Sequence, residues 1–338
     1  MEFGFSRKEI DFRDEVEDFL KSELPADWPV KSRHWPGGYG TIEMQNQEMM
    51  DTAQQFRQKL AQKGWFTIAW PEEYGGKAHS YMEQAIFDER MSYYRAPSVG
   101  IATGIAGPTI LRFGTEENKQ DWIRRIANAE IEMWLAYSEP DAGSDLASIQ
   151  TTALLEGDEY VINGQKVWST VAHLADYAWL IARTDPDGHR HHSVSLFVVD
   201  NQSPGVTIKP LINIVGVHSF NEVFFDNVRV PLDHVLLGEG RGFEIAQGRL
   251  GPGRIHHCMR LIGCAQRALE LMCVRAESRS TFGRPLSKHQ SVREDIARSF
   301  CDIEQARLLT LKAAARMDLV GNKVARDYIA AIKIAVCQ

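Results

Sequence analysis

The sequence has few cysteines and no long apolar run, and both absences limit what the protein can be. No stretch approaches the roughly 20 consecutive apolar residues that a membrane-spanning helix requires. The amino-terminal segment mixes acidic and apolar residues and lacks the regions of a secretory signal. The five cysteines lie far apart without a C-x-x-C pair, which favours reduced, buried thiols. We therefore expect a cytoplasmic protein without a disulfide framework.

Positively charged residues are also fewer than negatively charged ones. The chain of 338 residues has 38 lysines and arginines against 45 aspartates and glutamates, a formal net charge of −7. General nucleic-acid binding needs a basic surface, so no nucleic-acid partner is expected. The sequence has neither a G-x-S-x-G elbow nor the ligand spacing of a zinc site. Hydrolytic chemistry is therefore unsupported, and no metal is expected.

Three zones of different periodicity divide the chain at 1–133, 134–236 and 237–338. In the first zone, apolar residues recur at helical spacing, and Ser6 with Glu9 has the pattern of a capping box. A second helix is predicted to end at Gly64. The first zone is therefore predicted to be a helical domain.

The middle zone has the period of β-strands. Two alternating runs flank Gly157-Asp158, and Asn163-Gly164 has the composition of a hairpin turn. The predicted strands follow one another through short turns without intervening helices. We therefore expect an antiparallel sandwich or barrel in this zone.

The third zone returns to helical spacing. A long helix is predicted with an adjustment at Gly251-Pro252-Gly253, and the next helix is predicted to end at Gly321. The last segment, 322–338, begins another helix and stops inside its apolar pattern without a cap. This pattern indicates an incomplete helical bundle.

Two short motifs allow more than one interpretation. The GEGRGF segment at 238–243 is similar to a glycine-rich phosphate loop, but it does not lie in a βαβ unit. We therefore expect only an entry into the long helix. The HRHH segment at 189–192 follows a turn sequence and is predicted to be a solvated loop, with a phosphate contact as the alternative.

Several separated motifs carry a resemblance to a known family. They are WLAYSEPDAGSDLASIQTTALLEGDEYVINGQKVWST from Trp134, GPTILRFGTEENKQDWI from Gly107, NEVFFDNVRVPLDHVLLGEGRGFEIAQG from Asn221 and RSTFGRPLSKHQSV from Arg279. With these motifs the chain resembles the acyl-CoA dehydrogenases, FAD flavoproteins that oxidise acyl-CoA thioesters to the 2-enoyl form. The resemblance implies an α+β fold with a helical amino-terminal domain, a middle antiparallel β-domain and an incomplete carboxy-terminal helical bundle.

The resemblance also implies a cofactor and partners. These are FAD, an acyl-CoA substrate, an electron-transfer flavoprotein or similar acceptor, and assembly as a homodimer or homotetramer. The identity of the acyl group is left open because two sequence motifs resemble different branches of the family. WSTVAHLADYAWLIARTDP from Trp168 resembles a bacterial branch that includes enzymes of bulky and sterol-side-chain acyl-CoAs, whereas GRLGPGRIHHCMR from Gly248 resembles the long-chain and hydroxyacyl branch.

Site residues follow from the same resemblance. Ser138 is implied to offer its hydroxyl and backbone N–H to the flavin pyrimidine edge, where negative charge develops on reduction. Gly143 lets the backbone approach the ligand without a Cβ clash. Trp168 is implied to pack against the flavin and Thr170 to hydrogen-bond near N5. The full set of implied FAD contacts is Trp134, Tyr137, Ser138, Gly143, Ser144, Trp168 and Thr170, with Arg279, Thr281, Phe282 and Gln290 reaching the FAD of a neighbouring subunit, and the implied substrate contacts are Ser144 and Arg254.

The catalytic base is the part of the pattern that the sequence does not supply. The reaction needs a carboxylate that takes the α-proton while the β-hydrogen leaves as hydride. The family places it either just before the arginine matching Arg254 or near the carboxy terminus. Here Gly253 occupies the first position, no Asp or Glu lies between Glu244 and Glu270, and the second position would follow Gln338. No catalytic residue is therefore assigned, and the chain is interpreted as carboxy-terminally truncated.

Three functions stay open at this point. The first is a truncated acyl-CoA dehydrogenase with little or no dehydrogenation by the chain as given. His256 or His257 could replace the base in principle, but two adjacent helical residues point in different directions. The second is a non-catalytic or half-catalytic subunit that completes its site with a partner chain. The third is a related flavoprotein that uses oxygen.

Overall fold

In the computed structural model, residues 4–32, 46–236 and 238–338 are described, with the side chains of 248–252 left out. The chain divides into one compact unit of Met1–His34, His79–Pro97 and Gly251–Gln338 and another of Trp35–Ala78 and Ser98–Leu250. The helices are α1 (Arg7–Glu23), α2 (Trp28–Lys31), α3 (Gln47–Lys63), α4 (Tyr81–Tyr93), α5 (Gly107–Phe113), α6 (Glu116–Ala127), α7 (Gly242–Ser278), α8 (Gln290–Val324) and α9 (Arg326–Ala335). The strands are β1 (Met133–Ala136), β2 (Thr152–Glu156), β3 (Glu159–Lys166), β4 (Tyr177–Arg183), β5 (Val194–Asp200), β6 (Val206–Ile212), β7 (His218–Pro231), β8 (Val235–Leu236), β9 (Ser280–Thr281) and β10 (Arg284–Pro285).

The first unit is helical, and α1 begins where the sequence predicts. Ser6 Oγ accepts from Glu9 N, and the Glu9 carboxylate accepts from Ser6 N at 2.6 Å, which completes the capping box. The helix then buries Phe12, Val16 and Leu20, which recur every fourth residue on one face. Burying each such side chain stabilises by about 1.5–3 kcal/mol, so the apolar face rather than propensity holds α1 in place.

The carboxy-terminal helices of this unit confirm the predicted stop at Gly321. At Gly321 the backbone leaves the helical region, with φ 76° and ψ 167°, as the predicted stop requires. The helix α7 extends from Gly242 to Ser278 and includes the Gly251-Pro252-Gly253 segment, where the predicted adjustment stays a prediction. Beyond that point α7 buries Ile255, Met259 and Ile262 on one face, and this packing favours a continuous helix.

In the second unit, a mixed sheet carries most of the core. The strand order is β6-β7-β3-β2-β4-β5-β8, and β1 pairs with β4. Most pairs are antiparallel, but β1 runs parallel to β4 and β2 meets β4 in parallel at one residue. The expectation of a wholly antiparallel domain is therefore corrected. A parallel neighbour is available to β1 because the β2–β3 hairpin lies between β1 and β4 in the chain, which provides the long connection that parallel pairing needs.

The sheet is covered on both faces at its centre. One core cluster contains Trp179, Ile181 and Leu196, and a second contains Leu180 and Phe197. Adjacent residues of β4 and β5 therefore enter different clusters. This explains why YAWLIAR and SVSLFVVD are nearly continuous apolar runs and do not alternate with polar residues.

The predicted turn at Asn163-Gly164 is wrong. The β2–β3 hairpin turns at Gly157, whereas β3 continues through Gly164, with a register shift against β7 between Ile162 and Gly164. The glycine serves close packing: its φ is 152°, and a Cβ there would come within 2.5 Å of Thr151 Oγ1. Asn163 also has a partner across the sheet, because its Oδ1 accepts from Asn227 N at 2.9 Å.

The cysteines are free, as expected, but the expectation of burial holds only in part. Cys258 is buried and Cys264 and Cys273 are half-buried, whereas Cys301 and Cys337 are exposed. Cys301 lies on α8, and Cys337 follows the end of α9. Among the described residues, no helix combines the length and apolarity needed to cross a membrane.

Candidate functional site

The end of β1 forms one wall of the candidate site. After Ala136 the chain passes through half-buried Tyr137 and Ser138 and enters a tight turn, in which Glu139 and Ala142 exchange backbone hydrogen bonds of 2.8 and 3.1 Å. Gly143 follows this turn and is exposed. A Cβ placed on Gly143 would meet no described atom within 4 Å, so the space in front of this backbone is open.

The end of β3 forms the second wall. Val167 N donates to Ser138 O at 2.9 Å, which joins the two walls directly. The next residue, Trp168, is 64% exposed and packs edge-on against Phe220, with ring centroids 6.0 Å apart. Trp168 and Val171 both have φ of 57°, in the left-handed region that L side chains rarely adopt. An aromatic ring is therefore presented to solvent by a strained segment.

Asn221, on β7, holds this strained segment. Its Nδ2 donates to Ser169 O at 2.8 Å, and its Oδ1 lies 2.8 Å from Nε2 of His218. Nδ1 of His173 lies 3.1 Å from Asn221 Nδ2, and the two imidazoles stack with centroids 3.7 Å apart. Burial and the neighbouring His218 lower the pKa of His173 to about 4, so His173 is neutral near pH 7.

A buried ion pair lies behind the first wall. Lys166 is 0% exposed, and its Nζ donates to Glu139 Oε1 at 2.8 Å and to Tyr137 O at 3.1 Å. The Glu139 carboxylate also accepts from Gln150 N at 2.5 Å and Thr151 N at 3.0 Å. Burial alone raises the pKa of Glu139, but the ammonium and these N–H donors outweigh it and lower the pKa. Burial also lowers the pKa of Lys166, against the opposing effect of Glu139.

Sequence reasoning missed the residues that support both walls. Lys166 lies in phase with buried Tyr160 and Ile162 along β3, and Asn221 lies in phase with buried Val223 along β7. A polar residue on the buried side of an alternating strand needs a partner, because an unpaired buried group costs about 1–3 kcal/mol. That phase was the signal from which both could have been found.

Of the predicted middle-zone residues, Trp134 lies inside the protein. It is 0% exposed, belongs to the sheet core and donates from its indole Nε1 to Asn201 Oδ1 at 2.9 Å. In this conformation Trp134 supports β1 from behind and has no surface to offer a ligand. Ser144 is exposed, and Thr170 is half-buried beside Ser169, whose buried Oγ has no hydrogen-bond partner among the described residues.

The predicted residues of the third zone lie in the helical unit. Arg279 and Thr281 belong to the β9–β10 hairpin region, where Phe282 is 96% exposed with φ of 50°. The side chain of Gln290, at the start of α8, donates to Glu294 at 3.0 Å. Arg254 is a half-buried residue of α7. The hairpin thus brings together three of the four residues that the resemblance assigns to a neighbouring subunit's FAD.

The two ambiguous motifs have ordinary structural roles. The HRHH residues at 189–192 are exposed between β4 and β5, as predicted for a solvated loop. The GEGRGF segment lies between β8 and α7, where Arg241 pairs with Glu244 at 2.7 Å, and it provides the predicted entry into the helix. Across the described residues no group of three or more potential ligands is arranged to hold a metal ion.

Comparison with known proteins identifies the family. The model for the acyl-CoA dehydrogenase N-terminal domain matches residues 6–130, that for the middle domain 135–228 and that for the C-terminal domain 240–338. The chain belongs to the acyl-CoA dehydrogenase family. The predicted fold class is thereby confirmed: a helical amino-terminal part, a sheet-containing middle part and a helical carboxy-terminal part. The cofactor of this family is FAD, as the resemblance implied.

The relatives differ in how much of their length the chain covers. The probable acyl-CoA dehydrogenase FadE2 of Mycobacterium tuberculosis is 36% identical over 98% of this chain and 83% of that protein. Acyl-CoA dehydrogenase family member 10 of Mus musculus is 46% identical over 67% of this chain, which corresponds to 22% of that protein. The chain spans less than a third of the mouse, Arabidopsis thaliana and Gallus gallus relatives, at 22%, 28% and 30% of their lengths.

Solved structures show the same fold. A putative acyl-CoA dehydrogenase from Mycobacterium abscessus superposes with a TM-score of 0.85 at 33% identity, covering 98% of this chain and 85% of that one. The Tcur3481-Tcur3483 steroid ACAD superposes with a TM-score of 0.84 at 27% identity, covering 99% of this chain and 84% of that one.

Proposed function

We propose that this chain binds FAD at the junction of the two walls and oxidises an acyl-CoA thioester to the 2-enoyl-CoA. The observation that carries the proposal is the hydrogen bond from Val167 N to Ser138 O, which fixes the two walls side by side. Among the described residues the Ser138 N–H has no acceptor, and Trp168, the residue after Val167, is largely exposed. An unpaired donor, an aromatic face and an open glycine-bearing turn suit a planar, electron-accepting heterocycle.

Each residue then has a defined task. FAD, when bound, supplies the hydride acceptor of the reaction. The Ser138 N–H orients the cofactor's pyrimidine edge and stabilises negative charge there, and Trp168 packs against the ring system. Thr170 provides a hydroxyl near N5, and Gly143 leaves room for the ligand. The family resemblance assigns Ser144 and Arg254, each in its own unit, to substrate binding.

The proposed reaction has no identified base for abstraction of the α-proton. The α-proton of the substrate must go to a base within hydrogen-bond reach. Gly253 precedes Arg254, and no carboxylate lies between Glu244 and Glu270. We therefore expect the chain to bind FAD and acyl-CoA but to reduce the flavin slowly.

Anaerobic titration of the purified, FAD-reconstituted chain with acyl-CoAs tests both parts. Flavin absorbance that shifts on adding acyl-CoA and then bleaches slowly is the expected result. Failure to take up FAD would contradict the site, and rapid turnover with an electron acceptor would contradict the missing base. Straight-chain, branched and steroid-type acyl-CoAs, compared in the same assay, determine the acyl class.

Cofactor binding is proposed to involve a second copy of the chain. The highly exposed Phe282 on the β9–β10 hairpin favours coverage by a neighbouring subunit, and Arg279 supplies a cation suited to a pyrophosphate. Arg279→Ala is expected to weaken FAD binding about tenfold or more, consistent with loss of one charge-assisted contact. A monomer that binds FAD as tightly as the oligomer would contradict this assembly.

A half-catalytic subunit is the second candidate. Exposed apolar side chains cluster in sequence at the end of the helical unit, with Leu319 77%, Val324 62% and Ile334 66% exposed. Such residues favour coverage by further protein, because exposed apolar patches mark interaction surfaces. Restoration of acyl-CoA-dependent flavin reduction on mixing with a homologous subunit would support this candidate, and full activity of the homo-oligomer would exclude it.

A further inference from the structure

The Tyr137–Ser138 peptide group is held between a buried cation on one side and an open site on the other. Its carbonyl oxygen, on Tyr137, accepts a hydrogen bond of 3.1 Å from Lys166 Nζ. Its N–H, on Ser138, has no acceptor in the described part of the chain. The following carbonyl, Ser138 O, accepts from Val167 N at 2.9 Å, so Ser138 is anchored on both sides of the free N–H.

A cation on the carbonyl changes the N–H of the same peptide. Hydrogen bonds along a chain of groups polarise one another, and charge-assisted bonds are about twice as strong as neutral ones. Electron density drawn toward Lys166 leaves the Ser138 N–H more positive and a better donor. The effect is largest in a low-dielectric surrounding, and Lys166 is 0% exposed.

Stability alone is a poor reason for this ion pair. Removing two charges from water costs several kcal/mol per ion, and replacing a buried pair by apolar residues is often neutral or stabilising. Lys166 shares its strand face with Tyr160 and Ile162, so an apolar side chain would suit the position. Glu139 opposes the lowering of the Lys166 pKa by burial, and it accepts from two backbone N–H groups, which fixes the pair beside the peptide.

We propose that Lys166 is a positioning residue that polarises the Ser138 N–H toward the pyrimidine edge of the flavin and thereby raises the reduction potential of bound FAD. The inference rests on the proposed function, which places the flavin against Ser138. Lys166 is 0% exposed and so has no surface to offer to substrate or cofactor. Its effect passes through the one peptide group that Tyr137 and Ser138 share.

The test measures the midpoint potential of bound FAD in three variants. Lys166→Met removes the ammonium from a side chain of similar length. Lys166→Met with Glu139→Gln removes both charges, so neither group is left as an unpaired buried ion, and keeps an amide oxygen that can accept from one of the Gln150 and Thr151 N–H groups. Lys166→Arg restores a cation at the position. Lys209→Met is the matched control, because Lys209 is an exposed lysine of the same sheet.

We expect the two variants without the cation to lose at least about tenfold in the equilibrium constant for two-electron reduction, which is about 30 mV. Lys166→Arg should recover most of the loss, and Lys209→Met should show none. An unchanged potential in a folded, FAD-loaded Lys166→Met or double variant would overturn the inference and leave the proposed function intact. A wild-type chain that takes up no FAD would overturn the proposed function, and the inference with it.

Discussion

Asn221 is the single side chain on which the second wall depends most. It is completely buried, and its amide contacts Ser169 O, His173 and His218 at 2.8, 3.1 and 2.8 Å. Asn221→Ala removes all three contacts and leaves the Ser169 carbonyl without its side-chain donor. The segment around Ser169 then keeps only its backbone hydrogen bonds to β7.

The expected magnitude follows from these contacts. Each hydrogen bond contributes about 1 kcal/mol net, and a buried group left unpaired costs about 1–3 kcal/mol more. With three hydrogen bonds lost and one buried group left unpaired, the lost stability is about 4–6 kcal/mol. Because 1.4 kcal/mol is a factor of ten, the local opening of residues 167–175 should increase by about a hundredfold or more.

Hydrogen exchange measured peptide by peptide is the most direct assay. Wild-type Ser169 N donates to Asn221 O at 3.1 Å and Val171 N to Ser219 O at 3.4 Å, so both amides should exchange far faster in Asn221→Ala. Asn163→Ala, an exposed asparagine of the same sheet, should change exchange little near residue 170. Equal exchange of this segment in the two variants would refute the reasoning.

Three further predictions concern proton binding and the missing base. Burial raises the pKa of Glu83, but hydrogen bonds from Lys8 and His79 outweigh it and lower the pKa to about 2. The contribution of Glu83 to the free energy of unfolding is thus fully present above the ordinary pKa of 4.5 and is lost as the pH falls toward 2. Urea titrations at a series of pH values should show this loss, and Glu83→Gln should abolish the pH dependence. Burial lowers the pKa of His173 from 6.5 to about 4. As the pH falls through this range, the unfolded chain binds a proton before the folded chain does, so the free energy of unfolding decreases from pH 6.5 to pH 4. A flat profile in this range, or the same slope in His173→Gln, would contradict this. Gly253→Glu should speed anaerobic flavin reduction by acyl-CoA about a hundredfold, with Gly253→Gln as control, because a Cβ there meets no described atom within 4 Å; equal rates in the two variants would count against the missing base.

Features encoded by neighbouring residues were predictable from the sequence. The Ser6–Glu9 capping box needs only residues three apart, and Gly64 ends α3 with φ of 73°, as a left-handed glycine cap does. The start of the β2–β3 hairpin at Gly157 has the same local character. The family resemblance added the cofactor, since the motifs around Ser138 and Trp168 are long and specific.

Features that depend on distant residues were not predictable in this way. Asn163-Gly164 has the composition of a turn, yet position 164 needs a glycine because a Cβ there would clash with Thr151 on the neighbouring chain segment. Lys166 and Glu139 are 27 residues apart and meet only because β3 runs beside the end of β1. A pattern of single residues indicates which positions are buried, but it does not identify the partner that makes a buried charge acceptable.

The strained backbone of the second wall links these distant contacts to function. Trp168 and Val171 both have φ of 57°, and such conformations cost about 1–3 kcal/mol each and persist only where the surroundings over-determine them. Here the surroundings are Ser138 on one side, through Val167 N, and Asn221 on the other. If Trp168 only filled space, an extended segment with a buried ring would be more stable. The structure instead keeps Trp168 64% exposed on this strained segment, an arrangement that fits the proposed packing of its ring against a bound cofactor.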